Sequence, residues 1–326
     1  MKNFKRSMNF VIKLAIVLII PLAATNESKA KQTIRLGSAS LGSSGYIQFE
    51  AMAFLINQHS DKYKASSIST AGGKENIVLL DEQKIDFGSG DSLGIVYGWK
   101  KNVPIWQVTS WTYWSLPMIV LADSGINRME DLKGKAVSLI KKGSGAEFGW
   151  GLLLEEYGIL NQIKKQYLSW GDSYDAVVDG IIVAAPGNYA GGKPNPAVLR
   201  LASRKDYRVL DIDMNIFKRA QKRNPGLLAT VLPKTAYKGF KNDITTIGWS
   251  GIVMSTADVE DEMVYELCKA MYEHIDELHE LSAVSGATSR GNALKWLMPD
   301  YPVHPGAARY FKEQGLWNNN LKIGKR

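Results

Sequence analysis

Hydrophobic and polar positions repeat along this chain as one theme: a short strand-like run, a loop of small residues, then apolar positions at helical spacing. Residues 33–38 (TIRLGS) predict a first strand, residues 40–46 a Gly/Ser loop, and Phe49, Met52, Ala53, Leu55 and Ile56 the buried stripe of a helix. The theme returns with a strand over 63–69, a loop over 70–76, a helix opening at 77–80 and a short strand at 87–88. An aromatic stretch, 103–120, reads as two strands joined by an aromatic turn through Trp111 and Trp114. Beyond it come a helical turn over 124–134, a strand over 136–139, a loop over 141–147 and a helix over 148–157. Residues 173–178 predict a helix, 181–184 a strand, 187–196 a Gly/Pro loop and 207–210 another strand. The apolar run 245–254 predicts a strand carrying the chain back to its first half, and 259–281 a helix N-capped by Asp258. This alternation predicts an α/β fold. At 326 residues, two lobes are expected, 31–120 with 250–326 forming one and 121–249 the other.

The first thirty residues stand apart. Lys2, Lys5, Arg6 and Lys13 precede or open an apolar run over 14–24, and Ser28 and Ala30 supply small residues for cleavage before Lys31. This is the layout of a secretory signal peptide over 1–30; its apolar core is shorter than the roughly 20 residues that span a bilayer. Export to the periplasm is expected, with a mature chain outside the membrane. The formal net charge of +8 falls, without residues 1–30, to 35 basic against 31 acidic residues. A balance so small gives no case for nucleic acid and permits an anionic small ligand. The single cysteine, Cys268, can form neither an internal disulfide nor a thiolate metal site. It falls on the apolar face of the last long helix, where a buried, inert thiol is expected. His59, His274, His279 and His304 are too widely spread along the chain to suggest a metal site, and neither metal nor cofactor is expected.

Candidate chemistry lies in four loops where small residues meet helix starts: 40–46, 70–76, 88–92 and 143–147. Each offers backbone N–H groups and the positive end of a helix to a carboxylate or phosphate. Residues 37–45 lack both the Lys-Ser or Lys-Thr end of a P-loop and the glycine spacing of the dinucleotide fingerprint. Ser44 and Ser144 lack the setting of a nucleophile elbow, and His304 reads as a turn-packing residue, so no catalytic residue is expected. Tyr46, Trp111, Tyr113, Trp114, Trp150 and Trp170 are candidates for the walls of a ligand site or a cation–π box.

Taken in order, Gly37-Ser-Ala-Ser-Leu-Gly-Ser-Ser-Gly-Tyr46, Thr70-Ala-Gly-Gly-Lys-Glu-Asn76, Asp86-Phe-Gly88, Gly143-Ser-Gly145, Pro194-Asn-Pro-Ala-Val198 and His304-Pro-Gly-Ala-Ala-Arg-Tyr310 resemble the TAXI family of extracytoplasmic solute receptors, partners of TRAP transporters. The resemblance covers essentially the whole mature chain. It implies a type II periplasmic binding protein, two α/β lobes, each a sheet flanked by helices, joined by crossover strands. Such a receptor closes on a small organic solute, a carboxylate or amino acid, and delivers it to a sodium-coupled TRAP membrane permease. The implied site comprises Ser43, Ser44, Gly45 and Tyr46; Gly72, Gly73 and Asn76; Asp91 and Ser92; and Gly143, Ser144, Gly145 and Ala146, with Trp111 and Trp114 nearby. Ile47 and Gln48 stand where the family has Tyr and Pro, Ala146 where it has Thr, and Val183 where it has Asp, with an enlarged loop at Gly191-Gly-Lys193. These departures speak against amino-acid specificity and point to a less polar pocket, for a more apolar carboxylate or a different class of solute. An ABC-transporter or sensor-linked binding protein of the same fold is the alternative, and an enzyme on that scaffold is a third reading. A monomer is the default.

Overall fold

The computed structural model describes residues 30–41, 43–236, 240 and 242–326, so the expected signal peptide lies, apart from Ala30, outside the described residues. The chain begins as its pattern predicts, with β1 (Gln32–Gly37), α1 (Ser44–His59), β2 (Tyr63–Ile68), α2 (Gly73–Asp81), β3 (Phe87–Asp91) and α3 (Ser92–Lys100). β1 pairs in parallel with β2 on one side and β3 on the other, and parallel neighbours require crossovers, which α1 and α2 supply. Phe49, Met52, Leu55 and Ile56 of α1 are fully buried, as their spacing requires.

The aromatic stretch is not a turn. β4 (Trp106–Ser115) runs through Trp111 and Trp114, and the break falls at Leu116 and Pro117, before β5 (Met118–Leu121) enters a second sheet. Trp, Tyr and Thr at successive positions suit a long strand better than a turn, and β4 is buried along nearly its whole length. A bulge leaves Trp111 without an opposite residue, since Thr112 faces Gly251 and Ser110 faces Ile252.

The second sheet grows through β6 (Ala136–Ser138), α4 (Gly145–Glu156), β7 (Lys164–Gln166), α5 (Trp170–Val178) and β8 (Ala184–Pro186). The hairpin of β9 (Tyr189–Ala190) and β10 (Lys193–Pro194) then pairs with β4 in the first sheet. After α6 (Pro196–Arg204), β11 (Tyr207–Leu210) joins the second sheet; α7 (Met214–Arg223) leads to β12 (Leu228–Leu232), which pairs with β13 (Ile244–Ser255) in the first. The first sheet has the order β10-β9-β4-β13-β3-β1-β2, with β12 also on β13; the second runs β11-β5-β8-β6-β7. Strands from within 121–249 thus return to the first sheet.

α8 (Asp261–Glu273), α9 (Ile275–Leu281) and α10 (Pro305–Glu313) complete the chain. The single helix predicted over 259–281 is broken at His274 (φ −114°, ψ 40°), and Glu260 rather than Asp258 is its N-cap. The result is a two-lobed α/β fold, each lobe a sheet flanked by helices. Phe49, Phe87, Trp111, Ile252, Met271 and Tyr310 belong to the first core, while Val120, Leu139, Trp150, Leu153 and Phe217 belong to a second and Ile119, Tyr174 and Tyr189 to a third. Among the described residues no helix is long and apolar enough to cross a membrane.

Candidate functional site

Four helices begin at one cleft. Ser43 caps α1, its hydroxyl accepting from the Tyr46 N–H at 3.2 Å, and Ser144 caps α4 in the same way, accepting from Glu147 N–H at 3.2 Å. Asp91 caps α3, one carboxylate oxygen accepting from the Gly94 N–H at 2.6 Å. α2 starts differently: Gly72 stands at φ +106° and gives no side-chain cap, so the first N–H groups of this helix are left open. Glycine is required there by the positive φ. Each such N-terminus carries the equivalent of about half a positive charge. Residues from all four line a single cavity of about 180 Å³, suited to a small solute.

Among the described residues lining the cavity, Lys74 is the one cation and Asp91 the one acid. The Lys74 ammonium lies 5.4 Å from the centroid of Tyr97 and 4.9 Å from that of Phe148, two rings that meet edge to face with centroids 6.1 Å apart. Burial pushes the Asp91 carboxyl up to about 6, against the opposing pull of the Gly94 and Leu93 N–H groups and the Lys74 charge. The lobes approach closely here, since a Cβ on Gly145 would lie 3.0 Å from Oδ2 of Asp91. The floor is aromatic. Trp114 of β4 and Trp249 of β13 stand opposite one another in the strand pairing, and both line the cavity with Trp170 at the start of α5.

Eleven of the residues expected at the site are brought together in this cavity: Ser43, Ser44, Gly45, Gly72, Gly73, Asp91, Trp114, Gly143, Ser144, Gly145 and Ala146. Four are not. Tyr46 turns to an outer groove shared with Ile47, Phe54 and Leu281, because one step along a helix rotates a side chain by about 100°. Asn76 is fully buried behind the loops, donating to the carbonyls of Gly37 (3.1 Å), Ser38 (2.8 Å) and Ser89 (2.8 Å), and so ties the first loop to β3. Ser92 donates to the Gly226 carbonyl at 2.6 Å and accepts from the Ser250 N–H at 3.2 Å, tying the start of α3 to β13 and to the loop before β12. Trp111 is buried in the first core, its ring edge-on to Trp114 at 5.3 Å.

Lys74, Tyr97, Leu116, Phe148, Asn188 and Trp249 also line the cavity. Two of these had a signal in the sequence: Lys74, inside the Gly72-Gly-Lys74 loop, and Trp249, in the Gly248-Trp249 pair that belongs to the same ordered set of family-like segments. Of the other aromatics, Tyr113 packs on Trp296 at 5.0 Å and Trp150 is buried in the second core. Gln48 is a packing residue, its carbonyl accepting from the hydroxyls of Ser282 (3.3 Å) and Ser285 (2.6 Å). Cys268 is buried, which pushes its thiol up and out of reach of ionisation. His304 caps α10, accepting from the Gly306 N–H at 3.2 Å. The expectation that the histidines lie apart fails for one pair: His59 and His274 stack with ring centroids 3.5 Å apart.

A family model described as the NMT1-like family matches residues 36–315. The fold is similar to XAC2383 from Xanthomonas citri, solved bound to ATP, with 11% identity, TM-score 0.56 and coverage of 88% of this chain and 97% of that one. It is similar to PhnD1 from Prochlorococcus marinus in complex with methylphosphonate, with 10% identity, TM-score 0.52 and coverage of 79% and 91%. The periplasmic aliphatic sulphonate binding protein SsuA from Escherichia coli also matches, with 15% identity, TM-score 0.47 and coverage of 90% and 96%.

Proposed function

Because the chain belongs to the NMT1-like family, we propose that it works as an extracytoplasmic receptor, holding a small organic anion between its lobes and handing it to an importer in the membrane. One observation carries this reading: four helix N-termini, drawn from both lobes, open on one cavity whose cation among the described residues is Lys74. Uncapped and partly capped N–H groups at such ends suit carboxylate, sulfonate or phosphonate oxygens. We assign the solute to Ser43, Ser44, Gly45, Gly72, Gly73, Lys74 and Asp91 on one lobe and Gly143, Ser144, Gly145 and Ala146 on the other, over Trp114 and Trp249. Asp91 narrows the class. An amino acid would set its ammonium against that carboxylate, whereas a plain acid would meet it best when Asp91 is protonated.

The working division into lobes is 31–120 with 250–326 and 121–249, apart from β9, β10 and β12, which pair in the first sheet, with the hinge at the passages between sheets such as that from β4 to β5. No bond is made or broken in this proposal; the output is closure of the lobes on the solute, which presents a new surface to the importer. For the importer two classes stand. The order of the loop segments speaks for a sodium-coupled TRAP permease, and that support is confined to sequence motifs. An ATP-driven ABC importer fits the family and the fold at least as well. Uptake of labelled solute into vesicles holding a candidate permease separates them by its need for ATP or for a sodium gradient.

The solute reading is tested by thermal unfolding against a panel of carboxylates, amino acids, sulfonates and phosphonates. A true ligand at a hundred times its Kd stabilises the fold by about 2.7 kcal/mol. A panel in which organic cations raise the Tm and no anion does would contradict it.

A further inference from the structure

We propose that His59, His274 and Glu277 form a site for one transition-metal dication of the zinc type, on the first lobe and away from the cleft. His59 ends α1 while His274 and Glu277 lie at the start of α9, so the fold joins residues as much as 218 apart in sequence. Nε2 of His59 lies 2.6 Å from a Glu277 carboxylate oxygen. The two imidazole planes are 8° apart, and one donor atom from each of the three residues lies within 4.8 Å of the others. Two imidazoles and a carboxylate are a set that zinc takes with a fourth position left to water, its ligand atoms standing roughly 3.3 Å apart at ordinary bond lengths. Parallel rings aim their nitrogens side by side rather than at one point. One ring must therefore turn, and His59, on the exposed end of its helix, has room to do so.

The surroundings favour a cation. Residues 258–280 carry nine acidic side chains against one lysine. Glu262 is already held by Lys62 and Arg309, and Glu266 by Ser60 and Lys62. Glu277, by contrast, has His59 as its ion-pair partner and no lysine or arginine among the described residues. A dication would also tie the end of α1 to the junction of α8 and α9, where α9 begins at His274 without a side-chain cap. α1 has 16 residues, so the metal would sit roughly 24 Å along the helix from the cleft. The inference therefore stands apart from the solute reading.

Calorimetric titration of Zn²⁺ into tag-free protein stripped by a chelator tests this, beside His274→Ala and Glu277→Gln, with the visible absorption of bound Co²⁺ as a check on coordination. The expected result is one Zn²⁺ per chain, an affinity at least tenfold weaker in each variant, and a Zn²⁺-dependent rise in Tm that the variants lose. Circular dichroism of the variants confirms folding, and Glu277→Gln, at a partly exposed position, keeps the test open should His274→Ala misfold. Absence of saturable one-to-one binding, or both variants binding Zn²⁺ as the wild type does, overturns the proposal. The response to solute is expected to be the same with and without Zn²⁺.

Discussion

The ammonium of Lys74, on the first lobe, sits 4.9 Å from the centroid of the Phe148 ring, on the second. With Tyr97 on its other side, the cation is held between lobes by ring faces and by no carboxylate ion pair among the described residues. Such contacts are worth about 0.5–2 kcal/mol, less than the roughly 1.5–3 kcal/mol of a hydrogen bond to a charged partner. An arriving anion can therefore capture the ammonium. Lys74→Gln is expected to weaken binding of an anionic solute about tenfold or more, and Phe148→Ala to weaken it less, both by calorimetry. Equal affinities in wild type and Lys74→Gln would remove Lys74 from the site.

Asp91 makes binding and stability depend on pH. Its folded value of about 6 lies above the ordinary 3.8, so between the two the folded chain holds a proton that the unfolded chain has lost. The stability this proton brings is complete below about pH 4 and is lost as pH rises through 6. Asp91→Asn keeps a side chain that caps equally well and is expected to stabilise the protein by on the order of 1–3 kcal/mol at pH 7.5 and hardly at all at pH 4. Urea unfolding at both pH values checks it. The same variant should bind a plain acid more tightly at pH 7.5 and an amino acid more weakly.

His304 acts in the opposite direction. Burial lowers it to about 4 from 6.5, with Arg326 adding to the effect and Asp261 opposing it. Between those values the unfolded chain takes a proton that the folded chain refuses, so stability present above pH 6.5 is lost as pH falls through 4, by up to about 3 kcal/mol. His304→Asn keeps a capping side chain and should flatten the pH dependence between 4 and 6.5, although its absolute stability falls with the lost packing on Trp106. An unchanged slope would contradict this.

Two glycines of α4 should behave oppositely. A Cβ on Gly149 would lie 2.4 Å from Cζ3 of the buried Trp249 ring, whereas one on Gly151 meets nothing within 4 Å. Gly149→Ala is expected to cost about 1–3 kcal/mol by overpacking and to weaken solute binding through the cleft floor. Gly151→Ala should gain about 0.5–1 kcal/mol from helix propensity. Denaturant midpoints of the two variants test the pair.

What could be read from the chain follows from what each residue needs. Sites made from backbone, at Gly72 and Gly73 or at Ser43 and Ser144, show in sequence because a small-residue loop before helical periodicity is a local signal. Tyr46 and Asn76 sat in those same loops, but one helical step beyond Gly45 turns the first outward, and the second is buried among the carbonyls of Gly37, Ser38 and Ser89. Trp249 and Phe148 reach the cleft only because β13 pairs with β4 and α4 faces α3, contacts distant in sequence. The same limit hid β12 and the β9–β10 hairpin, whose place in the first sheet depends on long-range pairing. The stacking of His59 on His274 is likewise invisible in their spacing.

Amide NMR of the protein titrated with the tightest-binding acid of the panel tests the central claim most directly. The account predicts large shifts at Gly45 and Gly73 on one lobe together with Gly145 and Ala146 on the other, saturating at one solute per chain. Shifts confined to a single lobe, or centred on the outer groove at Tyr46 and Phe54, would contradict it.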